Sequence, residues 1–86
     1  MFYVYVLKSK KDESLYVGYT GDLRKRFAEH NAGKTKSIKH KVPFSLVYYE
    51  AFVDKTDARK RELELKSKGQ QREFLLDRIS NSLIAC

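Results

Sequence analysis

The run Phe2-Tyr-Val-Tyr-Val-Leu7 decides how the 86-residue chain folds. Its β-branched and aromatic residues suit the pleated surface of a sheet. Both alternating sets of side chains are apolar, which predicts a central strand that is covered on both faces. The run is far shorter than the roughly 20 apolar residues of a membrane span. It also lacks the basic start and the small-residue cleavage site of a signal peptide, so neither membrane insertion nor export is expected.

Two further strands are predicted around this one. The segment Leu15-Tyr-Val-Gly-Tyr19 follows after a polar loop, Lys8–Ser14, that is short enough for a hairpin. The first two strands are therefore expected to be antiparallel. Gly18 is unusual inside a strand and indicates a bulge or a close approach by another group. Later in the chain, Phe44–Val53 has the β-propensity of a third strand.

Helices are predicted in the remaining segments. Thr20-Gly-Asp22 is a helix start and Gly33 a helix stop, so they bound a first helix. A second helix starts within Asp54–Asp57, with Thr56 or Asp57 near its cap, and breaks at Gly69. Gln70–Leu83 forms the last helix. The resulting order, β-β-α-β-α-α, predicts an α+β fold.

Composition narrows the class of protein. The 18 Lys and Arg residues outnumber the 11 Asp and Glu residues, which gives a formal charge of +7 and favours a polyanionic partner. A chain this short is expected to form a single domain over residues 1–86. The single cysteine, Cys86, excludes a disulfide framework, a disulfide-linked partner and a cysteine-based zinc site. These features together predict a small cytoplasmic protein.

The positive charge is concentrated in the first half of the chain. Residues 1–43 hold ten Lys or Arg and four Asp or Glu, whereas residues 44–86 hold eight and seven. The segment Gly33–Val42, which we call the basic loop, contains four lysines: Lys34, Lys36, Lys39 and Lys41. Composition alone favours a solvated loop that lysine keeps soluble. The alternative is a flexible basic arm that binds nucleic-acid phosphates.

Charged and polar side chains share helix faces with apolar ones. On the first predicted helix one face carries four residues in line: Leu23, Arg26, Phe27 and His30. On the second, Glu62 lies in line with Ala58 and Leu65. Each polar residue alone has an ordinary structural explanation, because arginine snorkels from helix edges and glutamate pairs with neighbouring cations. Their joint occurrence with strand tyrosines in a basic domain indicates a functional site.

Four motifs follow one another along the chain: Tyr3-Val4-Tyr5, Tyr16-Val17-Gly18, Arg26-Phe-Ala-Glu-His30-Asn31 and Arg61-Glu62. In this order they resemble the GIY-YIG nuclease domain family. The resemblance spans Phe2 to about Ile79 and is closest to small stand-alone members similar to the nuclease domain of the excision-repair incision subunit. Tyr3 and Val4 stand where the family has Gly and Ile, and Val17 replaces a second Ile, but strand character and both tyrosines are kept. The resemblance implies a small three-stranded antiparallel sheet flanked by about three helices.

The resemblance also implies a set of catalytic residues and a metal-dependent endonuclease acting on duplex or branched DNA in repair or recombination. The catalytic residues carried over from the motifs are Tyr5, Tyr16, Arg26, His30 and Glu62. Glu62 is expected to hold one Mg²⁺ or Mn²⁺, since Mg²⁺ keeps several waters and takes further ligands from substrate phosphate. The family often has a late asparagine, for which Asn81 is the only candidate, at loose spacing.

Residue chemistry suggests a role for each group. The Arg26 guanidinium has the fork geometry that grips phosphate oxygens, and His30 could orient a tyrosine hydroxyl or move its proton. Tyr5 is expected to accept a proton from the attacking water while Tyr16 positions the phosphate, although these roles could be reversed. Substrate contact is expected at Gly18 and at the four lysines of the basic loop. Two alternatives remain: a non-catalytic nucleic-acid-binding module, and an accessory protein that acts on another protein.

Overall fold

The computed structural model describes residues 1–85, so Cys86 lies outside the described part of the chain. A three-stranded sheet forms its centre, with strand order β2-β1-β3 and antiparallel pairing at both junctions. The strands are β1 (Phe2–Ser9), β2 (Leu15–Thr20) and β3 (Phe44–Phe52). The predicted sheet is confirmed. The hairpin loop is shorter than predicted, because Lys8 and Ser9 continue β1 and pair with β3.

Within the described residues, four α-helices surround the sheet, and a short 3-10 helix covers Lys39–Lys41. The α-helices are α1 (Leu23–Asn31), α2 (Lys55–Ser67), α3 (Gly69–Arg78) and α4 (Ser80–Ala85). The prediction that Gly69 breaks the second helix is wrong by one residue, because Lys68 has the extended backbone and Gly69 is the first residue of α3. The predicted last helix is divided at Ile79, whose backbone leaves the helical region. Within residues 1–85, no helix is both long and apolar enough to cross a membrane.

Aspartate side chains begin the two helices that carry the candidate site residues. Asp22 accepts from the backbone N–H of Lys25 at 3.1 Å and starts α1, as predicted. At α2 the cap is Asp54, which accepts from the N–H of Thr56 at 2.7 Å. The sequence placed this cap at Thr56 or Asp57, but Asp54 is the acceptor that reaches a free N–H of the first turn.

The two faces of β1 pack against different helices. On one face, Val4 and Val6 join a core built from the inner sides of α2 and α3, with Ala58, Leu65, Leu75 and Ile79. On the other face, Tyr5 and Leu7 pack with side chains of α1, the basic loop and β3, including Phe27, Ile38 and Phe44. The alternation of side chains along β1 thus buries this strand on both sides, as its composition predicts.

Polar side chains tie the helices to β3 and fix their positions over the sheet. On α2, Arg61 donates from Nε to both carboxylate oxygens of Glu50, at 2.9 and 3.1 Å. At the end of α1, Asn31 donates to the carbonyl of Phe44 at 3.2 Å and accepts from its N–H at 2.6 Å. The helices that carry Arg26, His30 and Glu62 are therefore held to the sheet on both of its faces.

The basic loop is packed against the protein, not a free arm as one interpretation of the sequence proposed. Ile38 is buried in the middle of the lysines and anchors the loop to the core below α1. The carbonyl of Lys41 accepts from the Ser9 hydroxyl at 2.7 Å, and the Lys41 Nζ donates to Ser14 at 3.0 Å. The buried isoleucine is the physical reason that the segment is ordered, despite its charge.

Candidate active site

The Tyr5 ring lies across Gly18 of the neighbouring strand. Strand register places these two residues directly opposite each other. A Cβ atom at position 18 would lie 2.8 Å from Cε1 of Tyr5, and nearer still to its Cζ and hydroxyl. Only glycine leaves room for the ring to extend from the central strand over β2, the edge strand of the sheet. The close approach that the sequence indicates at Gly18 is therefore made by Tyr5.

Three rings meet where Tyr5 crosses β2. The Tyr5 hydroxyl lies 2.7 Å from Nε2 of His30, and both residues are buried. The Tyr16 ring stands edge-on to His30 with 5.3 Å between centroids, and lies 6.4 Å from the Tyr5 ring. The second nitrogen of His30, Nδ1, lies 3.0 Å from the Thr35 hydroxyl of the basic loop. The structure thus brings together both motif tyrosines and the helix histidine.

Burial controls the protonation of this cluster. Burial raises the pKa of Tyr5 to about 12, although the Arg26 guanidinium lowers it part of the way. Burial also lowers the pKa of His30, and the positive charge of Arg26 acts in the same direction, with Glu29 opposing both. At neutral pH, Tyr5 therefore carries its proton and His30 is uncharged. The pair is a phenol beside a neutral imidazole, and one nitrogen of that imidazole keeps a lone pair that can accept a hydrogen bond or a proton.

Arg26 is the cation of the cluster, one turn of α1 before His30. Its side chain is 37% exposed and its Nη1 lies 3.4 Å from Oε1 of Glu29. Burial opposes its charge, but hydrogen bonding to Tyr5 and Glu29 raises the pKa of the guanidinium above its ordinary value. Arg26 therefore remains charged beside Tyr5 and still presents part of its fork to solvent.

Glu62 approaches the tyrosines from α2, on the other face of the sheet. Its negative charge is near enough to raise the pKa of Tyr5. Its Oε2 lies 2.9 Å from Nζ of Lys66, one turn further along α2, and that ammonium lies 5.9 Å from the centroid of the Tyr16 ring. Sequence reasoning missed Lys66 as a member of the site, although its spacing of four residues from Glu62 was the available signal.

A basic groove surrounds Glu62. The groove encloses about 530 Å³, and Glu62 is the one acidic side chain among the residues that line it. Four cationic side chains line it as well: Lys55, Arg59, Lys60 and Lys66. The net charge of the second half of the chain is nearly neutral and does not reveal this basic surface. Acids that offset the cations in the count, such as Glu50 and Glu64, pair with Arg61 elsewhere on α2.

The oxygen donors present fit a hydrated magnesium ion better than a preformed metal cage. Within residues 1–85, no group of three or more histidine, cysteine, aspartate or glutamate side chains could hold a metal. Glu62 is a single carboxylate, 20% exposed and open to a groove that suits phosphate. Mg²⁺ commonly binds through one or two carboxylates and completes its octahedron with water and substrate phosphate. Such an ion would compete with Lys66 for Glu62.

The remaining candidate residues lie around this cluster. Lys34, Lys36 and Lys39 are exposed on the basic loop, whose Thr35 contacts His30, so the loop adjoins the cluster. Lys41 instead contacts the β1–β2 hairpin. Asn81 is exposed on α4, which packs near β3, the sheet edge opposite the tyrosines.

Comparison with known proteins identifies the protein family to which the chain belongs. The family model of the GIY-YIG catalytic domain matches residues 1–74. A UPF0213 protein of Staphylococcus haemolyticus is 47% identical over 73 residues, which cover 84% of this chain and 88% of the relative. A UPF0213 protein of Streptococcus pneumoniae is 38% identical over 86 residues, which cover 96% of this chain and 86% of the relative.

A solved structure agrees with these similarities. The solution NMR structure of a UPF0213 protein from Bacillus halodurans has a TM-score of 0.53 and 38% sequence identity, with coverage of 87% of this chain and 83% of that one. The chain therefore belongs to the GIY-YIG catalytic domain family, a family of nucleases. Within this family it is similar to the UPF0213 proteins. The predicted family and the predicted α+β fold are both confirmed.

Proposed function

We propose that this protein is a metal-dependent endonuclease that hydrolyses phosphodiester bonds in DNA. The observation that carries this proposal is the buried contact of 2.7 Å between the Tyr5 hydroxyl and Nε2 of His30, with Arg26 and Glu62 beside it. Membership of a nuclease family supports the general reaction. A role in repair or recombination and a cytoplasmic location stay predictions.

Tyr5 is the proton acceptor in this proposal, and His30 makes that role feasible. With a pKa of about 12, Tyr5 is ionised in only about one molecule in 10⁵ at pH 7, so a standing phenolate is too rare to serve as the base. The neutral imidazole offers another path. As the attacking water gives a proton to the Tyr5 oxygen, the phenol proton moves to Nε2 of His30.

The rest of the step concerns charge on the phosphate. The water oxygen forms a bond to phosphorus, the bond to the leaving ester oxygen breaks, and that oxygen takes a proton from solvent. Arg26 stabilises the negative charge that builds on the phosphoryl oxygens. Tyr16, half-buried at the edge strand, positions the scissile phosphate. His30 afterwards returns its proton to Tyr5, and the surplus proton leaves to solvent.

Glu62 is the residue that would hold the metal ion. When bound, Mg²⁺ or Mn²⁺ would supply positive charge that stabilises the reacting phosphate. Lys66 would give up its contact with Glu62 to such an ion, and its ammonium could then bind a phosphate oxygen. The exposed position of Lys66, with 45% of its side chain accessible, allows this movement.

Two basic surfaces support DNA as the substrate. One is the basic loop, whose Lys34 and Lys36 flank the residue that contacts His30. The other is the groove on α2, where Lys55 and Lys60 stand beside Glu62. A phosphate backbone that follows both surfaces would pass the tyrosine cluster between them.

The test is cleavage of a panel of labelled DNAs, comprising single strands, duplexes and branched junctions. We expect strand scission with Mg²⁺ or Mn²⁺, none with EDTA, and none by a Glu62→Ala variant that keeps its circular dichroism spectrum and binds DNA. Undiminished cleavage by that variant would remove Glu62 from the mechanism. Salt-sensitive DNA binding without cleavage by the unaltered protein would instead indicate the non-catalytic binding module.

A further inference from the structure

His30 makes a second polar contact, through the ring nitrogen that faces away from Tyr5. Its Nδ1 lies 3.0 Å from the hydroxyl of Thr35, and its Nε2 lies 2.7 Å from that of Tyr5. His30 is fully buried, so these two contacts replace solvent at both ring nitrogens. Thr35 belongs to the basic loop, not to α1, and no family motif in the sequence includes it.

A neutral imidazole has one N–H donor and one lone-pair acceptor, so the two contacts are coupled. If the proton is on Nδ1, that nitrogen donates to Thr35 and Nε2 can accept from Tyr5. If the proton is on Nε2, it donates to the Tyr5 oxygen and leaves Nε2 with no lone pair. Only the first tautomer can take the phenol proton.

We propose that Thr35 is a positioning residue that holds His30 in the Nδ1–H tautomer, so that Nε2 can accept the proton of Tyr5. The inference rests on the proposed function for its catalytic meaning, although the tautomer itself can be measured without any reaction. Thr35 would thus be the third member of a Tyr5–His30–Thr35 relay, in which a base is oriented by a further hydrogen-bonding group.

His30 becomes positively charged when it takes the phenol proton, and this charge makes its contact with Thr35 more important. Once His30 has taken the phenol proton, both ring nitrogens are donors, and the buried Nδ1–H needs an acceptor. Thr35 supplies a neutral oxygen there. The charged groups that act on His30 are Arg26, which opposes the imidazolium, and Glu29, which favours it. The remaining ring neighbours are aromatic: Tyr5, Tyr16 and Phe44.

The position of Thr35 also links substrate contact to the relay. Lys34 and Lys36 on either side are exposed and suited to phosphate, while Ile38 anchors the loop to the core. The loop that meets DNA is therefore the loop that sets the hydrogen bond at Nδ1. Phosphate contact at these lysines would hold Thr35 against His30.

The direct test is ¹⁵N NMR of the imidazole nitrogens in the unaltered protein, Thr35→Val and Thr35→Ser. The chain has two histidines, so the exposed His40 provides an internal reference. We expect protonated Nδ1 at His30 in the unaltered protein and in Thr35→Ser. In Thr35→Val, which keeps the shape but removes the hydroxyl, we expect a shift toward protonated Nε2.

Single-turnover DNA cleavage provides the second readout. Thr35→Val is expected to lower the cleavage rate about 100-fold, the lower end of what general-base catalysis contributes, while the dissociation constant for DNA changes less than about threefold. Thr35→Ser is expected to restore the rate.

Two results would overturn the inference: His30 of the unaltered protein protonated on Nε2, or a Thr35→Val variant with unchanged tautomer and rate. If Thr35→Val does not fold, the tautomer of His30 in the unaltered protein still tests the inference. Protonated Nδ1 supports it, and protonated Nε2 overturns it. If the unaltered protein cleaves no DNA but has the predicted tautomers, the proposed function fails while the positioning of His30 by Thr35 stands.

Discussion

Tyr5 reaches His30 by lying across Gly18, and this arrangement depends on the absence of a single carbon atom. The ring is buried, and its hydroxyl is held by His30, so it cannot swing aside as an exposed side chain would. A methyl group at position 18 would therefore have to move the ring, β2, or both. Overpacking of this kind in a filled core generally destabilises a protein.

We expect Gly18→Ala to lower the free energy of unfolding by about 1–3 kcal/mol, measured by urea denaturation. The matched control is Gly21→Ala, because a Cβ atom at Gly21 would lie 3.8 Å from its nearest neighbour, Phe2, in ordinary contact. That control is expected to be as stable as the unaltered protein. Equal stability of the two variants would contradict the packing of Tyr5 on Gly18.

The lowered pKa of His30 predicts how stability changes with pH. The unfolded chain protonates this residue near its ordinary value of 6.5, whereas burial and Arg26 keep it neutral in the folded state. Below about pH 6.5 the unfolded state therefore binds more protons, and stability falls as the pH decreases. For one proton the slope is at most about 1.4 kcal/mol per pH unit.

The measurement is the free energy of unfolding between about pH 6.5 and pH 5, a window above the ordinary carboxylate range. We expect His30→Asn to lose most of the slope, whatever its absolute stability. His40→Asn, which removes the exposed histidine, should keep it. A slope that survives His30→Asn would assign the effect to another group.

Sequence identified most of the candidate residues but not the contacts between them. Tyr5 and His30 were found because motif residues keep their order along the chain, and helical spacing aligned Arg26 with His30. Thr35 carried no such signal. Thr35 contacts His30 because Ile38 packs in the core and holds the basic loop against it. In a single sequence, one isoleucine among lysines is weak evidence that a loop is packed in this way.

At the scale of secondary-structure elements, α2 is the unit that brings a carboxylate to the tyrosine cluster. Its inner face is apolar, with Ala58 and Leu65 in the core, and Glu62 stands at the margin of that face. The Glu62–Lys66 pair then occupies one turn on the groove side. Exposed pairs at this spacing contribute only about 0.3–0.5 kcal/mol, so a metal ion can displace the lysine at little cost.

Removing Lys66 should therefore strengthen metal binding without weakening the fold. We expect Lys66→Met to lower the dissociation constant for Mn²⁺ about twofold, measured by electron paramagnetic resonance of the free ion. The control, Lys60→Met, removes the same charge from the groove without touching Glu62. Glu62→Gln should abolish this binding. An equal effect of both lysine variants would assign the change to the general field of the groove.

Element types were predictable, whereas the boundaries within the C-terminal helices were not. The apolar spacing of Leu75, Ile79 and Leu83 fits one continuous helix, which is the structure that the sequence predicts. The chain instead leaves the helical region at Ile79 and starts α4 immediately after it. Ile79 stays in the core through this break, and the N–H groups of Ile79 and Leu83 still donate to the carbonyls four residues before them, at 3.0 Å each.

At the scale of the whole molecule, charge is arranged differently from its order along the chain. The sequence places nearly all of the positive excess in the first half. In the folded protein, the groove on α2 is also basic, because Arg61 engages Glu50 and Glu64 away from Glu62. The groove cations all lie within α2, and the net charge of the second half of the chain does not show that the acids offsetting them are paired elsewhere.

In the proposed reaction the Tyr5 hydroxyl accepts a proton from the attacking water, and the variant Tyr5→Phe removes only that oxygen atom. The measurement is single-turnover cleavage of labelled DNA with Mg²⁺, with Tyr49→Phe, an exposed tyrosine on β3, as the matched control. We predict that Tyr5→Phe binds DNA normally and cleaves it at least about 100-fold more slowly, while Tyr49→Phe cleaves at the unaltered rate. Cleavage by Tyr5→Phe at the unaltered rate would show that the Tyr5 hydroxyl is not the proton acceptor.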